Sequence, residues 1–168
     1  MESIQVKDLE QEDLASAAEF YARGVLMQVP PGSTASLEEL TAIMTVDLNL
    51  FFAEKGNRRV WLAVENDVVK GVADFFVEPL QIRIKFIGAL PPRKGIGTFL
   101  MYHLGQLCSS KKLNTITAEV SQSDPRARNF YFKHLGFQDR GICHEEPGLI
   151  LRLAVISPEN LLANIQKR

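Results

Sequence analysis

A chain of 168 residues has room for one domain whose core needs neither disulfides nor a metal, and a net charge of −1 supplies no overall field for nucleic acid or an anionic membrane. Its 46% hydrophobic and 23% charged residues are ordinary for a globular protein. The two cysteines, Cys108 and Cys143, lack Cys-x-x-Cys spacing, which argues against a disulfide framework or a thiolate zinc site and suits a reducing cytoplasm.

The polar start MESIQVKDLEQED carries no apolar signal core, and no run approaches membrane-spanning length, so a cytoplasmic location is expected. Ile4 and Val6 suggest a short first strand. Asp13 is placed to cap a helix whose apolar face takes Leu14, Ala17, Ala18, Tyr21 and Val25. VPPGSTAS breaks the pattern, because neither proline nor glycine suits a helix interior. Ser36 and Glu39 form a capping-box pair that opens a second helix through Ile43 and Met44 toward Phe51 and Phe52.

The period then changes. RRVWLAVE and VVKGVADFFVE read as strands joined at Asn66-Asp67, which is hairpin-turn chemistry. QIRIKFIGAL alternates Ile82, Ile84 and Phe86 with polar neighbours and reads as another strand, interrupted at Gly88. A strand glycine marks a bulge or a close backbone approach by something else. After Gly97 a helix presents Leu100, Leu104, Leu107 and Cys108 on one face. TITAEV follows as a strand. Asp124 and Pro125 make an N-cap and first helical position, Ala127, Phe130, Tyr131 and His134 share a face, and Gly136 suits a C-terminal cap with Phe137 packing back. GLILRLAVI is a late strand, and Ser157 caps a short terminal helix. Strands alternating with helices around a central hairpin run imply a mixed α/β sheet in a single domain over residues 1–168.

The segment PPRKGIGTFLMYHLG sets two cations and two glycines at a helix mouth. Helix N-termini carry unpaired amides and partial positive charge, so the plain reading is capping and the sharper one is an anion site. A phosphate loop of the Walker kind needs Gly-Lys-Ser/Thr, but Thr98 and Phe99 follow Gly97. A dinucleotide fingerprint needs a small residue where Leu100 stands. Both fail, and a turn with a helix start remains beside the anion reading.

PPRKGIGTFL and DPRARNFYFKHLGF together resemble the acetyl-CoA and tyrosine motifs of the GCN5-related N-acetyltransferase (GNAT) family. The family loop runs Gln/Arg-x-x-Gly-x-Gly/Ala at a helix start, and its later segment ends in Tyr-x-x-x-Gly-Phe. The pair spans Ile82 to Phe137. Two departures stand out: the family's first basic or amide residue falls at Pro92, and Asp124 occupies a position where many members carry Asn. The resemblance implies a mixed, mostly antiparallel central sheet flanked by helices. It implies acetyl-CoA as co-substrate, no metal, and an amine acceptor that is a small molecule or a protein amine. Neither nucleic acid nor membrane is an expected partner, and a homodimer is left open.

Coenzyme A presents a pyrophosphate, which successive amides at a helix start serve without mobile side chains. Gly95 and Gly97 remove Cβ atoms and permit left-handed dihedrals, while Arg93 and Lys94 add local positive charge. With Ile96, Thr98 and Asp124 these residues are the expected cofactor contacts. By the resemblance, the pantetheine arm lies as a pseudo-strand along an edge at Gly88 and Ala89, and an amide near Gly88 to Leu90 stabilises the thioester oxygen.

Tyr131 matches the family tyrosine that protonates sulfur; the plainer reading is a core aromatic. Glu119 stands on the polar face of TITAEV, either as a solvated residue or as the base that takes the amine's proton. In the ribosomal-protein alanine acetyltransferases a strand Glu precedes the tyrosine by the interval that separates Glu119 from Tyr131. Glu78 is the second-choice base. His103 and His144 read as surface residues, Cys108 as core packing, and Trp61 as a half-buried strand residue. The function expected is direct acetyl transfer from a thioester to a primary amine in a ternary complex. An acyl-CoA-binding sensor with little turnover is the alternative, and transfer of a longer acyl group is a variant of the first.

Overall fold

Asn66 and Asp67 both adopt positive φ, 52° and 59°, as a type I′ hairpin turn requires, and so join β2 (Arg58–Glu65) to β3 (Val68–Val77). The structure, a computed structural model, describes residues 4–27, 34–54, 56–92 and 94–167. Much of VPPGSTAS lies outside the described residues. The remaining elements are β1 (Gln5–Asp8), α1 (Leu14–Leu26), α2 (Leu37–Ala53), β4 (Gln81–Ala89), α3 (Ile96–Ser110), β5 (Thr115–Ser121), α4 (Pro125–Arg128), a π-helical turn (Asn129–His134), β6 (Gln138–Glu146), β7 (Leu149–Ile156) and α5 (Pro158–Gln166).

The strands form one mixed seven-stranded sheet in the order β1-β2-β3-β4-β5-β7-β6. β1–β2, β5–β7 and β6–β7 are antiparallel; β4 and β5 run parallel, from Gln81 opposite Thr115 to Ile84 opposite Ala118. A parallel neighbour needs a crossover, and α3 is that connection. The mixed, mostly antiparallel sheet with helices expected from the resemblance is therefore the fold.

By internal contacts the chain divides into two compact units, Met1–Asp74 with Phe86–Leu100, and Phe75–Lys85 with Met101–Arg168. In the first, α1 buries Ala17, Ala18, Phe20, Tyr21 and Ala22, a wider face than the predicted stripe, against Leu48 of α2 and Val60, Leu62 and Val72 of the strands. In the second, Ile82 and Ile116 are paired across the parallel ladder and fully buried, as are Met101, Leu104 and Leu161.

Most local signals formed as the chain order predicted, with three exceptions outside β4 and the glycine loop. Ser36 Oγ accepts from Glu39 N–H (3.1 Å) and Glu39 Oε2 from Ser36 N–H (3.0 Å). Those bonds, the backbone one foremost, hold the Glu39 carboxyl below its usual range. Asp13, by contrast, does not cap α1: its side chain pairs with Lys7 (2.9 Å) and accepts from Glu10 N–H (3.2 Å), so a 3-10 turn over Gln11–Asp13 leads into the helix. The helix expected after Asp124 holds regular α geometry for only four residues before it widens into the π turn.

The third exception is β6, which the sequence reading left without an element. QDRGICHEE has no alternation because nearly all of it is exposed at the sheet edge, where polar side chains and a register shift discourage further pairing. Its pairing with β7, not its own pattern, makes it a strand.

Candidate active site

The glycine loop and the end of β4 belong to the first unit. Gly95 takes φ +80° with nothing within 4 Å of where a Cβ would stand, and its carbonyl accepts the first helical bond from Phe99 N–H (2.8 Å). Gly95 is thus the N-cap, and α3 begins at Ile96, earlier than the start expected after Gly97. Helix geometry leaves the amides just after the cap without acceptors inside the helix. Gly97 lies within α3, so left-handed freedom explains Gly95 alone. Lys94 is exposed and pairs with no carboxylate among the described residues; Arg93 lies outside them.

What anchors this helix start is a residue that sequence reasoning passed over. A Cβ on Gly71 of β3 would stand 2.8 Å from Ile96 Cγ2, 2.9 Å from Leu100 Cδ1 and 3.2 Å from the Gly88 carbonyl oxygen. Ile96 and Leu100 are buried at that contact. The signal was present, a glycine inside a strand, but its partner is distant in sequence.

Gly88 does not interrupt β4, which runs on to Ala89. A Cβ there would meet the ring of Phe86 at 2.8 Å, so the close approach inferred from the glycine is made by the protein's own aromatic. Leu90 N–H donates to Lys70 O at 2.9 Å and is thereby committed to β3. Strand alternation turns the Ala89 amide to the opposite edge of β4. Of the three positions expected to offer an amide, Ala89 is the one whose N–H the strand leaves pointing away from β3.

Glu119, Asp124 and Tyr131 belong to the second unit. On β5, Ile116, Ala118 and Val120 are buried and Glu119 is exposed opposite Leu153 of β7, though Thr117 on Glu119's face is also buried. Burial first, then the Glu119 charge, push the Cys143 thiol above its usual range, which places that carboxylate's field near β6. Asp124 caps α4, its Oδ1 accepting from Arg126 N–H (2.9 Å) and Ala127 N–H (3.0 Å). Either an aspartate or the amide that the resemblance implies would supply this acceptor.

Tyr131 sits in the π turn with 7% of its surface exposed, its ring edge-on to Phe130 and Phe137. Gly136 at φ +79° and a Phe137 N–H to Tyr131 O bond of 2.9 Å close the turn and lock the ring, the predicted cap. The hydroxyl makes no hydrogen bond to any described residue. No fully buried side-chain oxygen or nitrogen among the described residues lacks a partner, so this hydroxyl opens onto accessible space. Burial raises its pKa above the usual tyrosine range and keeps the proton on oxygen. The hydroxyl is thus a protonated donor with no partner among the described residues.

The other candidates resolve simply. Glu78 accepts from Gln81 Nε2 (2.5 Å) and Arg83 Nε (2.8 Å), bonds that hold its carboxyl below the usual range and make it a poor base. Trp61 is half-buried and donates to Asp8 (3.0 Å). Cys108 is buried, and that burial lifts its thiol to about 11. Among the described residues no group of His, Cys, Asp and Glu could hold a metal ion, and no helix is long and apolar enough to cross a membrane.

The model of the acetyltransferase (GNAT) family matches residues 29–137, more than half of the chain, and the chain belongs to that family. Among solved structures it is similar to a Desulfovibrio desulfuricans protein of the GNAT family, with TM-score 0.72 and 12% identity over 93% of this chain and 99% of that one. It is also similar to the yncA protein of Salmonella typhimurium, solved with its cofactor acetyl-CoA (TM-score 0.62, 18% identity, 93% and 94% covered). A third is a ribosomal-protein-alanine N-acetyltransferase from Escherichia coli (TM-score 0.61, 18% identity, 91% of each chain). At these identities the likeness is one of fold. Comparison with curated protein sequences yields no match.

Proposed function

We propose that the chain, acting as one N-acetyltransferase domain, moves an acetyl group from acetyl-CoA to a primary amine by direct transfer in a ternary complex. The observation that carries this reading is Tyr131, whose ring is locked and whose protonated hydroxyl has no partner in the described protein. Acetyl-CoA supplies the acyl group as a thioester.

The residues present fit that co-substrate. The open, left-handed Gly95 and the amides of the first α3 turn suit a pyrophosphate, with Lys94 and Arg93 supplying charge that the composition as a whole lacks. Gly88 and Ala89 offer a strand edge to the pantetheine amides, and the Ala89 N–H is the donor for the thioester oxygen. Glu119 takes the proton of the attacking amine, directly or through water, and Tyr131 gives its proton to the departing sulfur. Asp124 acts by holding the helix start that leads to Tyr131.

The cofactor half of this reading is checked by thermal melting with ligands. CoA at a hundredfold excess over its Kd stabilises the fold by about 2.7 kcal/mol, and pantetheine without the nucleotide stabilises it much less. Gly97→Val removes the CoA shift and leaves the free protein folded. Equal shifts from CoA and pantetheine defeat the phosphate assignment.

The chemical half is checked by thiol release with a panel of amines, which separates an enzyme from a sensor. Glu119→Gln keeps acetyl-CoA affinity and lowers turnover at neutral pH by about 10²-fold, with partial recovery at higher pH as more free amine is present. An unchanged rate and pH profile would make Glu119 a solvated strand residue.

A further inference from the structure

We propose that Phe86 is the wall that limits the acyl donor to a short chain, and that the buried Arg58–Asp74–Tyr21 network holds this wall in place. The inference rests on the acetyltransferase reading, and it assigns the acyl-length selectivity of that site to a residue not yet given a role.

Phe86 is packed against Tyr21, Gly24 and Gly88. Its ring stacks on Tyr21, centroids 4.0 Å apart and planes 18° from parallel. Gly24 of α1 and Gly88 of β4 each approach it so closely that a Cβ on either would stand 2.8 Å from the ring, and Phe20 closes in beside Gly88. The Cβ atoms that Gly24 and Gly88 lack leave room for the Cζ end of this one ring. The ring in turn covers the α1-facing side of the Gly88 backbone, beside the amide assigned to the thioester oxygen. An acyl carbon held there meets an aromatic ring that Tyr21 backs.

Tyr21 is held in turn. Tyr21 Oη donates to Asp74 Oδ2 at 3.4 Å, and Arg58 clamps the same carboxylate through Nε to Oδ1 (3.0 Å) and Nη2 to Oδ2 (2.7 Å). Asp74 is wholly buried. Phe86 itself stays only partly buried, so its surface remains open to a ligand. An apolar wall discriminates one methylene by about 10- to 200-fold, enough to separate acetyl from butyryl.

The test compares acetyl-CoA and butyryl-CoA on wild type, Phe86→Ala and Phe86→Leu, by calorimetric binding without acceptor and by kcat/KM with an accepted amine. Wild type binds butyryl-CoA about tenfold or more weakly than acetyl-CoA, and both variants narrow that ratio at least tenfold, with kcat/KM following. Phe86→Leu keeps an apolar side chain and carries the test should Phe86→Ala lose its cooperative melting. Equal binding of the two donors by wild type overturns the proposal. So does a ratio within twofold of wild type in a variant that still binds acetyl-CoA. A shifted binding ratio without turnover on any amine keeps the wall and defeats the enzyme reading, whereas no binding of either donor defeats both.

Discussion

Tyr131→Phe is expected to bind acetyl-CoA almost as well as the unmodified protein and to lose kcat by about 10- to 10³-fold, the range for removing one hydrogen bond made chiefly in the transition state. The departing sulfur gathers charge only as its bond to the acyl carbon breaks, so a donor aimed at it contributes little before that point. The substitution deletes an oxygen that bonds to no described residue and leaves the ring against Phe130 and Phe137. Melting should therefore change little, which separates this outcome from a packing defect. The kcat loss persists at saturating acetyl-CoA. Burial raises the hydroxyl's pKa above the ordinary tyrosine value, so the donor remains protonated and its contribution does not fall as pH rises to about 10. Steady-state thiol release across pH, with wild type and variant at saturating donor, reads all of this. A normal kcat with a lowered melting temperature would return Tyr131 to the core.

The second large effect falls on stability. Asp74 is fully buried, and Arg58 and Tyr21 are among the groups that compensate its charge. Burial by itself would depress the Arg58 pKa, but the hydrogen bonds that Arg58 donates to the Asp74 and Asp47 carboxylates outweigh that and raise the value. Asp74→Ala leaves a half-buried guanidinium with only the more exposed Asp47, and removing one partner of such a pair costs about 3 kcal/mol. For a chain of this length that lowers Tm by roughly 6–12 °C. Asp47→Ala costs about 1 kcal/mol or less, since solvent already screens that carboxylate. Replacing both Arg58 and Asp74 by apolar residues recovers part of the loss, because no charge is then stranded. Equal Tm losses for Asp47→Ala and Asp74→Ala would show that the buried carboxylate has no special part.

The candidate site was legible in uneven measure. The Gly136 turn that holds Tyr131 could be read because it rests on residues a few positions apart, whereas the helix was expected only after Gly97 and starts with Gly95 as its cap. Glu119 was placed on the exposed side of β5 from alternation alone, and it is exposed there. Gly88 was singled out correctly as a point of close approach but for a different neighbour. Nothing within QIRIKFIGAL says that Phe86, two residues away on the same face, folds back over it while Gly24 presses from α1.

The same division holds for the chain as a whole. The capping box at Ser36 and Glu39, the Asn66-Asp67 turn, the Asp124-Pro125 helix start and the apolar face of α3 were set by local chemistry. Each depends on dihedral preferences and hydrogen bonds reaching no further than about four residues. Tertiary structure decided the rest. Asp13 was drawn from its helix by Lys7, β6 became a strand only through β7, and Gly71 proved to be the seat of Ile96 and Leu100. Asp74, a polar residue inside an apolar strand, found its partners in Arg58, sixteen residues before it, and Tyr21, fifty-three before it. Such contacts have no periodicity to betray them, because burial and pairing between distant segments depend on where the sheet brings them and not on the spacing of either segment alone.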